Sequence, residues 1–244
     1  MESSGDRFLD GRIVARQPVD GFRASIDAVM LAAAIPARHR DELLELGSGA
    51  GVASLCVAAR VRDCRICGVE IVADLVAIAC ANARANGMEP RLSFQCADAL
   101  ARDGSLRRDF DHVFCNPPFH ATGGKASPDR TRALALQDTG RLEEWLAAGM
   151  SRAKPGGTFT AILRTDRLSE ALRVLPTRGV TVFPLWPHAG DASKRVIVQL
   201  CRNSRAPLVL HAGLVLHDKG GRYTDDAEEV LRRAGSLALA GPRL

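Results

Sequence analysis

The sequence predicts an α/β fold built on a parallel sheet, and three observations carry that prediction. From residue 41 onward, short β-branched or apolar runs alternate with helical stretches, the pattern of successive βαβ units. A glycine-rich loop, residues 45–51, joins the first of these runs to the first helix. At 244 residues, 46% hydrophobic and 25% charged, the chain is long and apolar enough to bury one large core.

The elements follow in order. A strand is expected over residues 43–46, stopped by Gly47, and a helix over Val52–Arg60. A second strand covers residues 66–70. Asp74 is expected to cap the next helix, whose apolar face is Leu75, Ile78, Ala79 and Ala83 and whose terminator is Asn86-Gly87. Residues 92–95 and 112–115 read as the third and fourth strands. A helix over residues 142–153 is ended by Pro155-Gly156-Gly157, and residues 158–163 form a fifth strand. Residues 168–175 are helical. Val180–Trp186 and Arg195–Cys201 are two more strands, joined by a polar loop, and residues 208–216 and Asp225–Arg233 supply a last strand and a closing helix. Residues 1–40 form a lead-in with one helix, residues 25–35; residues 41–244 form a single domain.

Composition excludes several classes. The start of the chain lacks the basic-then-apolar order of a signal peptide. No apolar run approaches the roughly 18 residues that cross a bilayer, and the longest, residues 26–35, contains Asp27 and precedes Pro36. A cytoplasmic protein without membrane attachment is expected. The net charge of +5 fits a phosphate-bearing partner such as RNA, though a value that modest also fits an ordinary basic surface. Of the seven cysteines only Cys64 and Cys67 have ligand spacing, with no second pair to complete a zinc site, so no metal is expected.

The loop Glu45-Leu46-Gly47-Ser48-Gly49-Ala50-Gly51 opens a helix, where glycines let the backbone approach a ligand beside the positive helix end. A dinucleotide fingerprint needs glycine or alanine at position 52, where Val52 stands. The third glycine comes one residue early, and Glu45 precedes the first. A sulfonium amino acid, S-adenosylmethionine, tolerates that acid better than a pyrophosphate does. Glu70 ends the second strand, placed to accept both ribose hydroxyls, with Ile71 beside it to pack on adenine. Asp98, next to Ala99, follows the third strand and is placed to accept from the adenine amine. Each acid alone reads as a solvated strand end; three acids after three successive strands, at the edge where open α/β sheets bind ligands, read as a site.

After the fourth strand comes Asn116-Pro117-Pro118-Phe119. An aromatic amine is a poor nucleophile because its lone pair is delocalised into the ring. The Asn116 side-chain oxygen and the Pro117 carbonyl can hold its two N–H bonds and draw it toward tetrahedral geometry, and adjacent prolines stiffen the loop. Phe119 offers a face to a flipped-out base, worth about 1–3 kcal/mol. In isolation the same four residues would be a rigid turn.

These residues resemble the small-domain class I methyltransferases that carry an N-P-P-F/Y loop, over about residues 40–165. Gln17-Pro18-Val19-Asp20-Gly21-Phe22-Arg23-Ala24-Ser25-Ile26-Asp27-Ala28, Ser127-Pro128 ahead of Ala133, Arg195-Val196-Ile197-Val198 and Tyr223-Thr224 resemble one branch, the tRNA1(Val) adenine-N(6)-methyltransferases. The resemblance implies a Rossmann-like fold with a seven-stranded sheet, helices on both faces and an antiparallel last strand. It implies S-adenosylmethionine held by Gly47, Ser48, Gly49 and Gly51 at the methionine end and by Glu70 and Asp98 at the nucleoside. Asn116, Pro117 and Phe119 would handle an adenine near a tRNA anticodon. Phe119 stands where many relatives have Tyr; stacking survives and a hydroxyl contact is lost.

Basic residues outside these motifs are candidates for phosphate contact: Lys125, Arg130 and Arg132 beyond the loop, close after Pro118, and Lys194 and Arg195 between the last two main strands. Rival acceptors with the same planar amine are a glutamine side chain in a protein such as a release factor and guanine N(2) of ribosomal RNA. A short lead-in argues against the first, whose enzymes carry a helical N-terminal domain. An NAD-dependent oxidoreductase is opposed by Val52 and by the Asn-Pro-Pro-Phe loop. No obligate protein partner is inferred.

Overall fold

A computed structural model describes residues 3–20, 23–101, 106, 109–118 and 141–239. Its centre is a sheet in the order β5-β4-β3-β6-β7-β9-β8-β10, with β11 also pairing with β8. The strands are β3 (Glu42–Leu46), β4 (Arg65–Glu70), β5 (Leu92–Cys96), β6 (Phe110–Cys115), β7 (Ala153–Arg164), β8 (Val180–Trp186), β9 (Arg195–Cys201), β10 (Val209–Leu210) and β11 (Leu214–Val215). All main strands are parallel except β9, which lies antiparallel between β7 and β8. The expected seven strands and the antiparallel last one are therefore present. Residues 208–216 differ from expectation: they give two two-residue strands that extend the β8 edge to nine strands in all.

Six α-helices are described: α1 (Ile26–Ala34), α2 (Val52–Arg60), α3 (Ala73–Ala85), α4 (Leu142–Arg152), α5 (Leu168–Val174) and α6 (Asp225–Arg233). A parallel sheet needs cover on both faces, and the strand pattern supplies it. Leu43, Ile66, Phe114 and Ile197 join α1, α2, α3 and α6 in one buried cluster. Leu44, Leu46, Val113 and Val198 join α4 and α5 in the other. Alternate side chains of each strand thus feed opposite faces. Ser25 caps α1 by accepting the Asp27 N–H, and Thr224 caps α6 through Ala227.

Some boundaries differ from expectation. Helix α3 starts at Ala73 with Val72 at its cap, so Asp74 lies in the first turn and does not cap it. The fifth strand starts at Ala153, so Lys154-Pro155-Gly156-Gly157 lies within it; pairing with β6 shifts register between Phe110 and His112, which accommodates the irregular stretch. The lead-in holds more than the one helix expected: β1 (Ser3–Phe8) and β2 (Ile13–Pro18) form an antiparallel hairpin. In β2 burial alternates, with Ile13, Ala15 and Gln17 buried and Val14 and Arg16 exposed, but apolar Val14 outside and polar Gln17 inside hide that alternation in the residue types. Ile13 and Ala15 join the cluster that contains Ala79 and Ala83 of α3.

Candidate active site

The carboxyl ends of β6, β3, β4 and β5 stand side by side. Leu46 pairs with Cys115 and with Val69, and Glu70 pairs with Cys96. Asn116, Gly47, the Glu70–Ile71 step and Asp98 therefore emerge at one edge, spread over about three strand spacings of roughly 4.8 Å. The structure brings together the acids, the glycine loop and Asn116 that the sequence singled out.

The glycine loop is tightly held. Gly47 and Ser48 both donate to the Val69 carbonyl at 2.9 Å, and Gly51 donates to the Ser48 carbonyl at 2.8 Å. Gly47 has φ +69°, and a Cβ there would meet the Trp145 ring at 2.8 Å. Gly51 has φ +80° and lies against Phe94, which a Cβ would meet at 2.7 Å. Both the left-handed backbone and the close approach exclude larger residues. Gly49, by contrast, has open space where its Cβ would be. Trp145 and Phe94 were missed from the sequence because each reaches the loop from another element.

The acids differ in setting. Glu45 is 3% exposed on the α2 side of β3 and accepts from the Ser54 N–H at 3.2 Å and from the Ser54 hydroxyl. Burial pushes its carboxyl up to about 8, and Glu70 adds to the rise. Burial likewise pushes up the thiols of Cys56, to about 12, and Cys115, each with Glu45 close by. Glu70 was expected to face a ribose; its oxygens already accept the Gly49 N–H and the Val72 N–H, each at 3.0 Å. It ties the glycine loop to the end of β4 while each oxygen keeps further acceptor capacity. Ile71, 53% exposed, leaves an apolar face open at this edge. Asp98 is exposed and accepts the Leu100 N–H at 2.8 Å, and Ala99 is buried.

Two buried oxygens at this edge, Ser48 Oγ and Asn116 Oδ1, have no hydrogen-bond partner among the described residues. A buried polar atom left so is costly and asks for a ligand. Pro117 is buried beside Asn116 and Pro118 partly so. Phe119, Lys125, Arg130 and Arg132 lie outside the described residues. Lys194 is exposed. Arg195, expected to contact phosphate, is engaged elsewhere: its Nε donates to the Asp27 carboxylate at 2.8 Å, which joins β9 to the start of α1. That pair links two segments of the family resemblance, Ser25-Ile26-Asp27 and Arg195-Val196. Among the described residues no group of His, Cys, Asp and Glu is arranged to hold a metal, and no helix is long and apolar enough to cross a membrane.

The fold and this edge define a class I, S-adenosylmethionine-dependent methyltransferase. Residues 23–144 match the model of the methyltransferase small domain, and the chain belongs to that family. Two relatives are both named tRNA1(Val) (adenine(37)-N6)-methyltransferase. The one from Shewanella halifaxensis is 27% identical, with 84% of this chain and 88% of the relative covered. The one from Aeromonas salmonicida is 28% identical, with 84% and 86% covered. Among solved structures, a protein described as a predicted O-methyltransferase from Agrobacterium tumefaciens superposes with a TM-score of 0.73, at 22% identity over 86% of this chain and 98% of that one. A precorrin-6y C5,15-methyltransferase from Geobacter metallireducens superposes with a TM-score of 0.53 at 15% identity, covering 78% of this chain and 94% of that one. At those identities the structural neighbours support the fold alone.

Proposed function

We propose that this enzyme methylates the exocyclic amine of an adenine in RNA, the adenine at position 37 of a tRNA. The observation that carries the reading is the buried Asn116 Oδ1 beside the glycine loop, an acceptor that has no partner among the described residues and suits an incoming N–H donor. The relatives named for adenine(37) of tRNA1(Val), which match most of the chain, support the choice of base and RNA. Such a reaction belongs to the cytoplasm, and it requires neither a metal nor an obligate protein partner.

Residues present at the edge fit S-adenosylmethionine, which when bound supplies an electrophilic methyl group. Gly47, Ser48, Gly49 and Gly51 would hold its amino-acid end, with Ser48 Oγ, which has no partner among the described residues, as one contact and the buried Glu45 beneath. Glu70, Ile71, Asp98 and Ala99 would hold its nucleoside. In the reaction Asn116 Oδ1 and the Pro117 carbonyl accept the two N–H bonds of the target amine. That pulls its lone pair out of conjugation and aims it, at no reorganisation cost when the loop is stiffened by Pro117 and Pro118. Phe119 would stack on the flipped base. Lys125, Arg130, Arg132 and Lys194 remain candidates for phosphate contact; Arg195 is the weakest of the five because Asp27 already neutralises it.

The deciding experiment incubates the enzyme with labelled cofactor, total tRNA and a release factor, then identifies the modified nucleoside by mass spectrometry. N(6)-methyladenosine in tRNA is expected. Label in the protein alone would establish the glutamine acceptor instead, and N(2)-methylguanosine the guanine one.

A further inference from the structure

Residue Asn82 of α3 is buried, 2% exposed, and its carboxamide makes three hydrogen bonds that join separate parts of the chain. Its Oδ1 accepts the Arg16 N–H at 2.8 Å, and its Nδ2 donates to the Arg16 carbonyl and to the Ala50 carbonyl, both at 2.9 Å. Four residues on, Asn86 does the same to Val14: Oδ1 accepts its N–H at 3.1 Å and Nδ2 donates to its carbonyl at 2.8 Å. A helix rises about 6 Å in four residues and a strand about 6.7 Å in two. Asparagines at i and i+4 therefore meet alternate residues of a strand, and they pair its free backbone edge as a neighbouring strand would. Among the described residues the Asn86 side chain hydrogen-bonds the hairpin and its own helix. Asn82 touches the hairpin and the glycine loop at once.

The contact with Ala50 falls on a sensitive peptide. The Ala50–Gly51 peptide is gripped at both ends, its carbonyl by Asn82 and its N–H by the Ser48 carbonyl at 2.8 Å. It follows Gly49, whose N–H is held by Glu70 and whose Cβ side is open. Turning that peptide would change Ala50 ψ and Gly51 φ, and hence the path of the loop between Ser48 and the start of α2 that is offered to the cofactor.

We infer that Asn82 is a positioning residue that couples docking of the β1–β2 hairpin to binding of the cofactor at the glycine loop. Each event stabilises the arrangement the other needs, and by linkage the coupling is reciprocal. Cofactor binding tightens the hairpin edge, and a docked hairpin raises cofactor affinity. The inference rests on placing the cofactor at the glycine loop.

Hydrogen exchange of the full chain, read with and without saturating S-adenosylhomocysteine, tests it, together with calorimetric affinities. In the wild type the ligand should slow exchange of the Val14 and Arg16 amides. Asn82→Ala should bind the ligand about tenfold more weakly, as expected for one lost buried hydrogen-bond anchor, and show no ligand-induced protection of β2 at saturation. Asn82→Asp, close in shape but unable to donate to Ala50, should behave likewise should the alanine variant fail to fold. Asn86→Ala should exchange faster over residues 13–18 yet keep the ligand-induced slowing, because it leaves Ala50 held. Ligand binding in the wild type without slowing at β2, or unchanged affinity and slowing in both Asn82 variants, would overturn the coupling. Failure of the wild type to bind at all would overturn the cofactor site, and the coupling with it.

Discussion

The edge at β3 and β4 and the end of β6 differ in how their polar groups are satisfied. At the first, both acids are already in use: Glu45 accepts from both Ser54 donors and Glu70 from the Gly49 and Val72 N–H groups, Asn82 donates to the Ala50 carbonyl, and the small Ser48 hydroxyl is the buried oxygen left over among the described residues. One strand away, Asn116 leaves a buried oxygen without a partner among the described residues. On the proposed reading the first holds the cofactor, bound in every turnover whatever the acceptor, and is organised mostly by the protein's own bonds. Asn116, on the same reading, has a bond left for the target amine to make, which is where discrimination between amines belongs.

The largest expected effect lies on the unsatisfied side. Asn116→Ala should lower turnover by about 100-fold or more, the cost of one preorganised acceptor, while cofactor affinity stays near that of the wild type. Single-turnover kinetics with calorimetry separates the two; normal turnover in the variant would remove the contrast.

A second effect tests how deeply the organised side is buried. Glu45 holds its proton up to about 8, against 4.5 for an ordinary glutamate. The folded state thus binds this proton more tightly than the unfolded state. Its contribution to stability is complete below about 4.5 and is lost as pH rises through about 8. The cofactor-free protein should melt at progressively lower temperature across that window, and Glu45→Gln should flatten the decline. Parallel melting profiles for the two proteins would mean that Glu45 ionises like a surface acid.

The smallest effect concerns Glu70, which serves the loop and, on the proposed reading, the ribose. Glu70→Ala should weaken cofactor binding by about tenfold, since one charged hydrogen-bond acceptor is lost from a site that other contacts still hold. Unchanged affinity would leave Glu70 as a tie between the loop and β4 and nothing more.

Local pattern determined much of this protein. Helix α2, strands β8 and β9, the glycine loop and the order of acids along one sheet edge follow from apolar runs, glycines and strand ends, which neighbours in the chain suffice to write. The hairpin β1–β2 did not follow in this way: β1 has no apolar alternation, and in β2 apolar Val14 is exposed while polar Gln17 is buried, so the residue types do not show the faces. Only the tertiary structure decided that β9 inserts between β7 and β8, that Trp145 closes on Gly47, that Arg195 meets Asp27, and that Asn82 joins Arg16 to Ala50. The reason is physical. A side chain that hydrogen-bonds a distant backbone leaves no mark on its partner, since every residue carries the same carbonyl and nearly every one the same N–H. Such partners are chosen by where the sheet and helices bring the chain, and periodicity along the sequence does not contain that information.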